Sequence, residues 1–271
     1  GYVVSDSDAV EYLYSKHGTA IDMKEAVLQA VEAGLNVRCT FRSPESFVLA
    51  LRELIAEGAI AMETINDRVR DILRVKFLIG LFDTPYQMDL KQADMEVNSL
   101  KNQKIALQAS RESIVLLKNS GKTLPLSKES VKTISVCGPN ADDTSYALTH
   151  YGPLAVEVTT ILQGIKEKVG EKVHVLYTQG CQLVDKNWPE SEILPQEPDA
   201  KEKAEIEKAV ENARKSDVAI VVLGGNNRTC GENKSRTSLE LPGHQLQLLQ
   251  AVVSVGKPVV LVLVNGRPLA I

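Results

Sequence analysis

Aromatic residues are scarce in this 271-residue sequence: Phe, Trp and Tyr make up 4% of it, with a single Trp at position 188. That is too few for a platform that stacks successive bases of a single strand. Positive charge is not in excess either. Lys and Arg number 31 against 35 Asp and Glu, for a formal net charge of -4. This balance argues against nucleic acid or an anionic membrane as the main partner. The longest apolar runs, VAIVVLGG and PVVLVLVNG, fall far short of the roughly 20 residues of a membrane-spanning helix. The four cysteines, Cys39, Cys137, Cys181 and Cys230, are scattered without a CxxC pair. Neither a zinc site nor a small disulfide framework is indicated, and they are expected to be buried free thiols. GxSxG, HExxH, GxGxxG and GxxxxGK[ST] are all missing, which leaves nucleophilic serine, zinc-protease and nucleotide chemistry without local support. The histidines, His17, His150, His174 and His244, form no ligand grouping. His174 reads as a core residue of a strand, and His244 as a surface residue of a helix.

What is present reads as alternating strands and helices. GYVVSDS is apolar and β-branched, then turns polar, as a short buried strand does on entering a loop. MKEAVLQAVE predicts a helix over 23–32 closed by Ala33-Gly34, and LNVRCTF a second strand. Ser43 as cap and Pro44 in the first turn predict a helix running to Gly58. In METINDRVRDILRVKFLIGL, Ile65, Val69, Ile72 and Leu73 share one helical face. Strand and helix alternating at this spacing indicate parallel βα units. A polar stretch from about Asp83 to Asn102, with DTPYQ as a turn, and a helix in QKIALQASRESIVLLKN then lead to LPLS. From Val131 the pattern restarts: strands in VKTISVCGPNA, KVHVLYTQGC, DVAIVVLGG and KPVVLVLVNG, with helices in TILQGIKEKVG, DAKEKAEIEKAVENARKS and LPGHQLQLLQAVVSVG. The near-continuous apolar runs are those of buried parallel strands. The expected class is α/β, with residues 1–90 as one domain, 91–127 as an interdomain linker and 128–271 as a second, doubly wound domain. The chain opens without Met on a strand pattern and closes on another, so a fragment or a processing product is expected.

Ligands of open parallel sheets sit off the carboxyl ends of strands. Two acids occupy such places: Asp6 after GYVVS, and Glu232 in the Gly-, Asn- and Thr-rich loop after DVAIVVLGG. A pair of carboxylates, one ionised and one holding a proton, is the equipment of glycoside hydrolysis. On pattern alone the ordinary reading of each acid is a solvated loop residue or a helix cap. Phosphate binding by GGNNRTCG is disfavoured, because Glu232 would repel the anion.

Four stretches in order carry a family resemblance. GYVVSDSDAV resembles the nucleophile segment of glycoside hydrolase family 3, the retaining exo-β-glycosidases. ASRESIVLLKNSGKTLPL resembles the entry to that family's second domain, and VCGPNADD its first strand and turn. GENKSRTSLELPGHQ resembles the segment bearing the acid/base Glu, four residues before an Arg and ahead of Leu-x-Leu-Pro-Gly-x-Gln.

Carried onto this sequence, the resemblance implies Asp6 as nucleophile and Glu232 as acid/base. Asp8, Arg236, His150, Tyr151 and Cys230 are candidate substrate contacts, with Asp8 alternatively a helix cap or a hydrogen-bonding neighbour and Arg236 alternatively an anchor of its loop. It also implies that residues 1–90 are the terminal βα units of a (β/α)8-type barrel and that 128–271 are an incomplete α/β sandwich. The expected partners are an oligosaccharide or aryl β-glycoside substrate and the missing barrel segment of a parent protein, with no nucleic acid and no membrane. No cofactor and no metal are implied. Family members acting on β-glucosides often carry Trp after the nucleophile, where this chain has Ser7 followed by Asp8. The Ser-Asp-x-Asp form favours β-xylosides over β-glucosides. Where the family often has Asp-Arg after the acid/base, this chain has Ser235-Arg236. A periplasmic or secreted home follows by family analogy. The alternative is a catalytically incompetent fragment serving as a carbohydrate-binding or structural module.

Overall fold

A computed structural model describes residues 1–84, 89–97, 99–145 and 157–271. The chain divides into two compact units, Gly1–Ile114 and Val115–Ile271.

In the first unit the helices are α1 (Ala9–Ser15), α2 (Met23–Glu32), α3 (Glu45–Ala56), α4 (Met62–Leu78), α5 (Leu90–Glu96) and α6 (Leu100–Ser113). α2 matches its sequence pattern residue for residue. The Asp22 side chain accepts from the Glu25 N–H at 2.9 Å and Glu25 accepts from the Ile21 N–H at 2.7 Å, a reciprocal cap that fixes the start of α2. Ser43 does not cap α3. Pro44 takes the cap position with no side-chain bond to the helix. The two expected strands shrink to one parallel bridge, Val4 to Val37, flanked by Val37 N–H to Val3 O at 3.1 Å and Ser5 N–H to Val37 O at 2.9 Å. Tyr2, Val3 and Val4 stay exposed, and a parallel ladder needs both faces covered before it extends. α1 and α5 carry no pattern that the sequence reading used. α6 stops at Ser113, and Ile114 enters extended backbone where β-branched Ile114 and Val115 weaken helix propensity. DTPYQ lies largely outside the described residues. Val27, Val31, Ala50, Leu54 and Ile60 form the core between α2, α3 and the following turn.

The second unit is a four-stranded parallel sheet in the order β2-β1-β3-β4. β1 (Thr133–Cys137) leads through α7 (Ile161–Val169) to β2 (His174–Thr178). α8 (Ala200–Arg214), β3 (Val218–Gly224), α9 (Gln245–Val253) and β4 (Val259–Val264) follow. Ile134 stands beside Val175 on one side and Val218 on the other, fixing the register. Thr160 and Asp199 cap α7 and α8 through the N–H groups of Gln163 and Glu202.

Alternation along β3 builds two cores. Val218, Ile220 and Val222 face α7 with Ile134, Val136 and Leu162. Ala219, Val221 and Leu223 face α8 and α9 with Ala209, Ala213, Leu248 and Val252. All seven residues of β3 are buried, as its unbroken apolar run requires, and each fully buried Val contributes roughly 1.5–3 kcal/mol. The strand order reverses at β1, so the crevice off the carboxyl ends of β1 and β3 is the switch point where ligands of such sheets bind. There is no room there for side chains close to the strands. A Cβ on Gly138 would lie 2.0 Å from the Val222 carbonyl oxygen, and one on Gly224 1.9 Å from that of Val264. Two histidine expectations are overturned. His174 is exposed on edge strand β2, and His244 is 4% exposed.

Candidate active site

Asp6 follows the Val4–Val37 bridge directly and is exposed. Its carboxylate Oδ1 accepts from the Ser7 N–H at 2.7 Å. The segment carrying it is pinned to the neighbouring extended chain: Cys39 N–H donates to Ser5 Oγ at 2.8 Å, and Asp8 N–H to Cys39 O at 3.1 Å. Ser7 Oγ lies 3.6 Å from Cys39 Sγ. Asp8 occupies the cap position of α1 with φ +57°, yet its side chain makes no cap bond. It accepts instead from Thr40 Oγ1 at 2.5 Å and from Arg42 Nε at 3.3 Å. The Thr40 hydroxyl, helped by the Arg42 guanidinium, holds the Asp8 carboxyl below the usual range. Asp8 thus commits its carboxylate to Thr40 and Arg42, next to the segment that carries Asp6. Beneath it, Arg38 and Glu11 form an ion pair whose side chains are 5% and 3% exposed, with Arg38 over the Phe47 ring at 5.4 Å.

Glu232, in the second unit, sits in the loop between β3 and α9, off the switch-point end of the sheet, and its residue is exposed. The loop leaves the sheet through Gly225, whose N–H donates to Val264 O at 2.8 Å. Asn140 Nδ2 donates to Gly225 O at 2.9 Å, and Asn226 Nδ2 to Asp143 Oδ2 at 2.8 Å, so the loops after β1 and β3 are tied together. Cys230 is half-buried, and a Cβ on Gly266 would come within 2.7 Å of its Sγ. Gly231 has φ +139° and Asn233 φ +59°, and the Lys234 N–H closes a turn on Gly231 O at 3.2 Å. Glu232 is the second residue of that turn. The Gly and the Asn on either side of the acid are there because their backbone conformations exclude most L residues.

Arg236 is an anchor. Its Nε donates to Glu192 Oε1, its Nη2 to Glu240 O at 2.8 Å, and its guanidinium lies 5.4 Å from the centre of the Trp188 ring. Its side chain is 4% exposed and held by partners within the second unit. Glu192, in a 3-10 turn at Glu190–Glu192, also accepts from the Thr237 N–H and Oγ1, each at 2.9 Å. Burial would raise its pKa, but these donors outweigh burial and hold the carboxyl below its usual value. Arg267 Nη2 donates to Lys234 O at 2.7 Å. At the far end of the loop, His244 sits between Glu202 (Nδ1 to Oε2, 2.6 Å) and Gln196 O (Nε2, 2.8 Å). Next to it, Gln245 exchanges bonds with Gly224 N–H and O and with Leu183 O. Glu192, Arg267 and the His244 contacts have no local motif. The single Trp, four residues before Glu192, was the one available signal.

Of the sequence candidates, Asp6 and Asp8 lie in the first unit, and Glu232, Arg236 and Cys230 in the second. His150 and Tyr151 lie outside the described residues. Among the described residues no group of three or more His, Cys, Asp or Glu is placed to hold a metal ion. No helix among them is long and apolar enough to cross a membrane.

Residues 114–271 match the model of the glycosyl hydrolase family 3 C-terminal domain. The chain is 36% identical over its whole length to a periplasmic beta-glucosidase of Salmonella typhimurium, of which it covers 36%. It is 31% identical, again over its whole length, to a beta-xylosidase of Formosa agariphila, of which it covers 37%. The solved structure of a β-glucosidase from Erythrobacter marinus superposes with a TM-score of 0.81 at 33% identity, covering 99% of this chain and 37% of that one. A doubly wound layered unit with an acid on its switch-point loop, preceded by a parallel-bridged helical unit with an acid on its own loop, defines an α/β protein. The chain belongs to glycosyl hydrolase family 3. It spans a little over a third of the length of these relatives.

Proposed function

We propose that this chain provides both acids of a retaining exo-β-glycosidase and works together with a further barrel segment of a longer parent protein. The observation that carries the reading is the Glu232 turn: an exposed carboxylate held between Gly231 and Asn233, both at positive φ, on the loop off the switch-point end of the sheet. Relatives acting by name on β-glucosides and β-xylosides match the whole chain, which supports the same chemistry here.

In the proposed first step, Asp6 attacks the anomeric carbon and forms a glycosyl ester, while Glu232 gives its proton to the departing glycosidic oxygen. In the second, Glu232 takes a proton from water, the water oxygen attacks the same carbon, and Asp6 leaves as carboxylate, so the β configuration is kept. Asp8 holds the Asp6 segment to Thr40 and Arg42, and Arg236 anchors the Glu232 loop. The small Ser7 beside Asp6 leaves one wall of the sugar pocket without an aromatic ring, and with Asp8 it favours β-xylosides over β-glucosides.

The experiment is trapping with 2-deoxy-2-fluoro-β-xylosyl and -glucosyl fluorides in the full-length protein. The expected outcome is a peptide containing GYVVSDSDAV heavier by one fluorosugar, with the label on Asp6 and faster inactivation by the xylosyl reagent. Faster inactivation by the glucosyl reagent would reverse the sugar preference. Label on another residue, or none, would overturn the assignment, and the absence of label together with sugar binding would favour the non-catalytic module.

A further inference from the structure

Glu232 is exposed at the tip of a loop that runs from Gly225 to His244 before chain order resumes in α9. Loops of that length carry conformational freedom unless something fixes them. Here the limb that follows Glu232 is fixed from outside the loop at two places. Arg267 holds the Lys234 carbonyl at 2.7 Å. Glu192 holds the next stretch with both carboxylate oxygens: Oε1 takes Arg236 Nε, and Oε2 takes the Thr237 N–H and hydroxyl at 2.9 Å each. The Glu192 and Arg236 side chains are 6% and 4% exposed, so water competes little for these bonds. Trp188 packs on the guanidinium from the same outlying segment. Because its oxygens already accept three donors, Glu192 is no acid or base itself.

We propose that Glu192 is the positioning residue for the acid/base of this chain, setting the place of Glu232 through Arg236 and Thr237. The proposal rests on the reading of Glu232 as acid/base. Its consequence concerns proton donation. A departing 2,4-dinitrophenolate leaves as a stable anion and needs no proton, whereas a departing phenolate or sugar alkoxide is protonated as its bond breaks. A displaced Glu232 therefore slows the second kind of substrate and spares the first. An effect on folding alone removes active molecules and slows both alike.

The test measures kcat/KM of the full-length protein on 2,4-dinitrophenyl and phenyl β-xylosides and β-glucosides, with active centres counted by fluorosugar titration. Glu192→Gln is expected to lower phenyl glycoside turnover about 100-fold per active centre and dinitrophenyl turnover less than about threefold, the loss typical of a catalytic group misplaced by about 1 Å. Glu192→Asp, which keeps the charge, is expected to recover part of the phenyl glycoside rate. Thr237→Val, which removes one of the three bonds, is expected to give a smaller split of the same sign and serves if Glu192→Gln does not fold. Equal losses on both substrates, or no loss, would overturn the proposal. Glu232→Ala is measured alongside. If it shows the split and neither Glu192→Gln nor Thr237→Val does, the positioning role fails while the acid/base assignment stands. If Glu232→Ala shows no split, the assignment itself fails and takes the positioning role with it.

Discussion

Single residues in this chain are sorted by what surrounds them rather than by type, and the cysteines show it. Burial against the sheet pushes the Cys137 thiol up to about 12 and the Cys181 thiol well above the usual range. Cys39 is exposed beside the Asp6 segment, and Cys230 is half-buried. The sequence reading of all four as buried therefore holds for two. Since the thiolate is the reacting species, a maleimide or aromatic disulfide reagent should modify Cys39 first in the folded chain. Cys137 and Cys181 should react only when denaturant is added. Peptide mapping after timed quenching checks the order, and early modification of Cys137 would contradict the burial. The histidines teach the same lesson in reverse. His244 follows a Pro-Gly turn and reads as surface, yet Glu202 and Gln196, 42 and 48 residues away in sequence, enclose it. His174 reads as core, yet the outer edge of the sheet leaves it exposed. Contacts from distant segments decide such cases, and no local periodicity contains them.

At the scale of elements, the legible parts were those whose period is set by their own residues. α2, α8 and the four strands of the second unit emerge where apolar spacing and capping place them, because local propensity and burial agree there. The parts that were not legible depend on company. The Val4–Val37 pairing is a single bridge because a parallel strand extends only when its neighbours cover both faces. α1 is seven residues long and starts from Asp8 in left-handed backbone; Asp8 and Glu11 are start-signal residue types, but the Asp8 side chain makes no cap bond. The Glu232 loop was recognised by its resemblance, while its anchors were not, since Glu192 and Trp188 come from a segment without regular period. The joints between strands and loops give the sharpest element-scale prediction. Gly224→Ala places a methyl against the Val264 carbonyl at a φ of +139°, combining backbone strain with overpacking for a loss of about 3–5 kcal/mol. Urea unfolding of the second unit's sheet, followed by far-ultraviolet circular dichroism, should show the lower midpoint. A midpoint equal to that of the parent chain would mean that β3 and β4 are not joined as described.

At the scale of the molecule, the chain forms two compact units, each carrying one of the exposed acids Asp6 and Glu232, and the proposal assigns both to one chemistry. The expected division at residues 90 and 127 leaves α5 and α6 in a connecting stretch, whereas contacts group both helices with the first unit. Coverage of little more than a third of the relatives' length is consistent with the proposal that turnover needs a further segment.

The most direct measurement is chemical rescue of Glu232→Ala in the full-length protein with a dinitrophenyl β-glycoside. Removing the base stalls release of the sugar, and azide, which attacks without giving up a proton, is expected to restore kcat and to yield the β-glycosyl azide. A variant that keeps full turnover without azide, or one that azide neither accelerates nor converts to a glycosyl azide, would contradict the role assigned to Glu232.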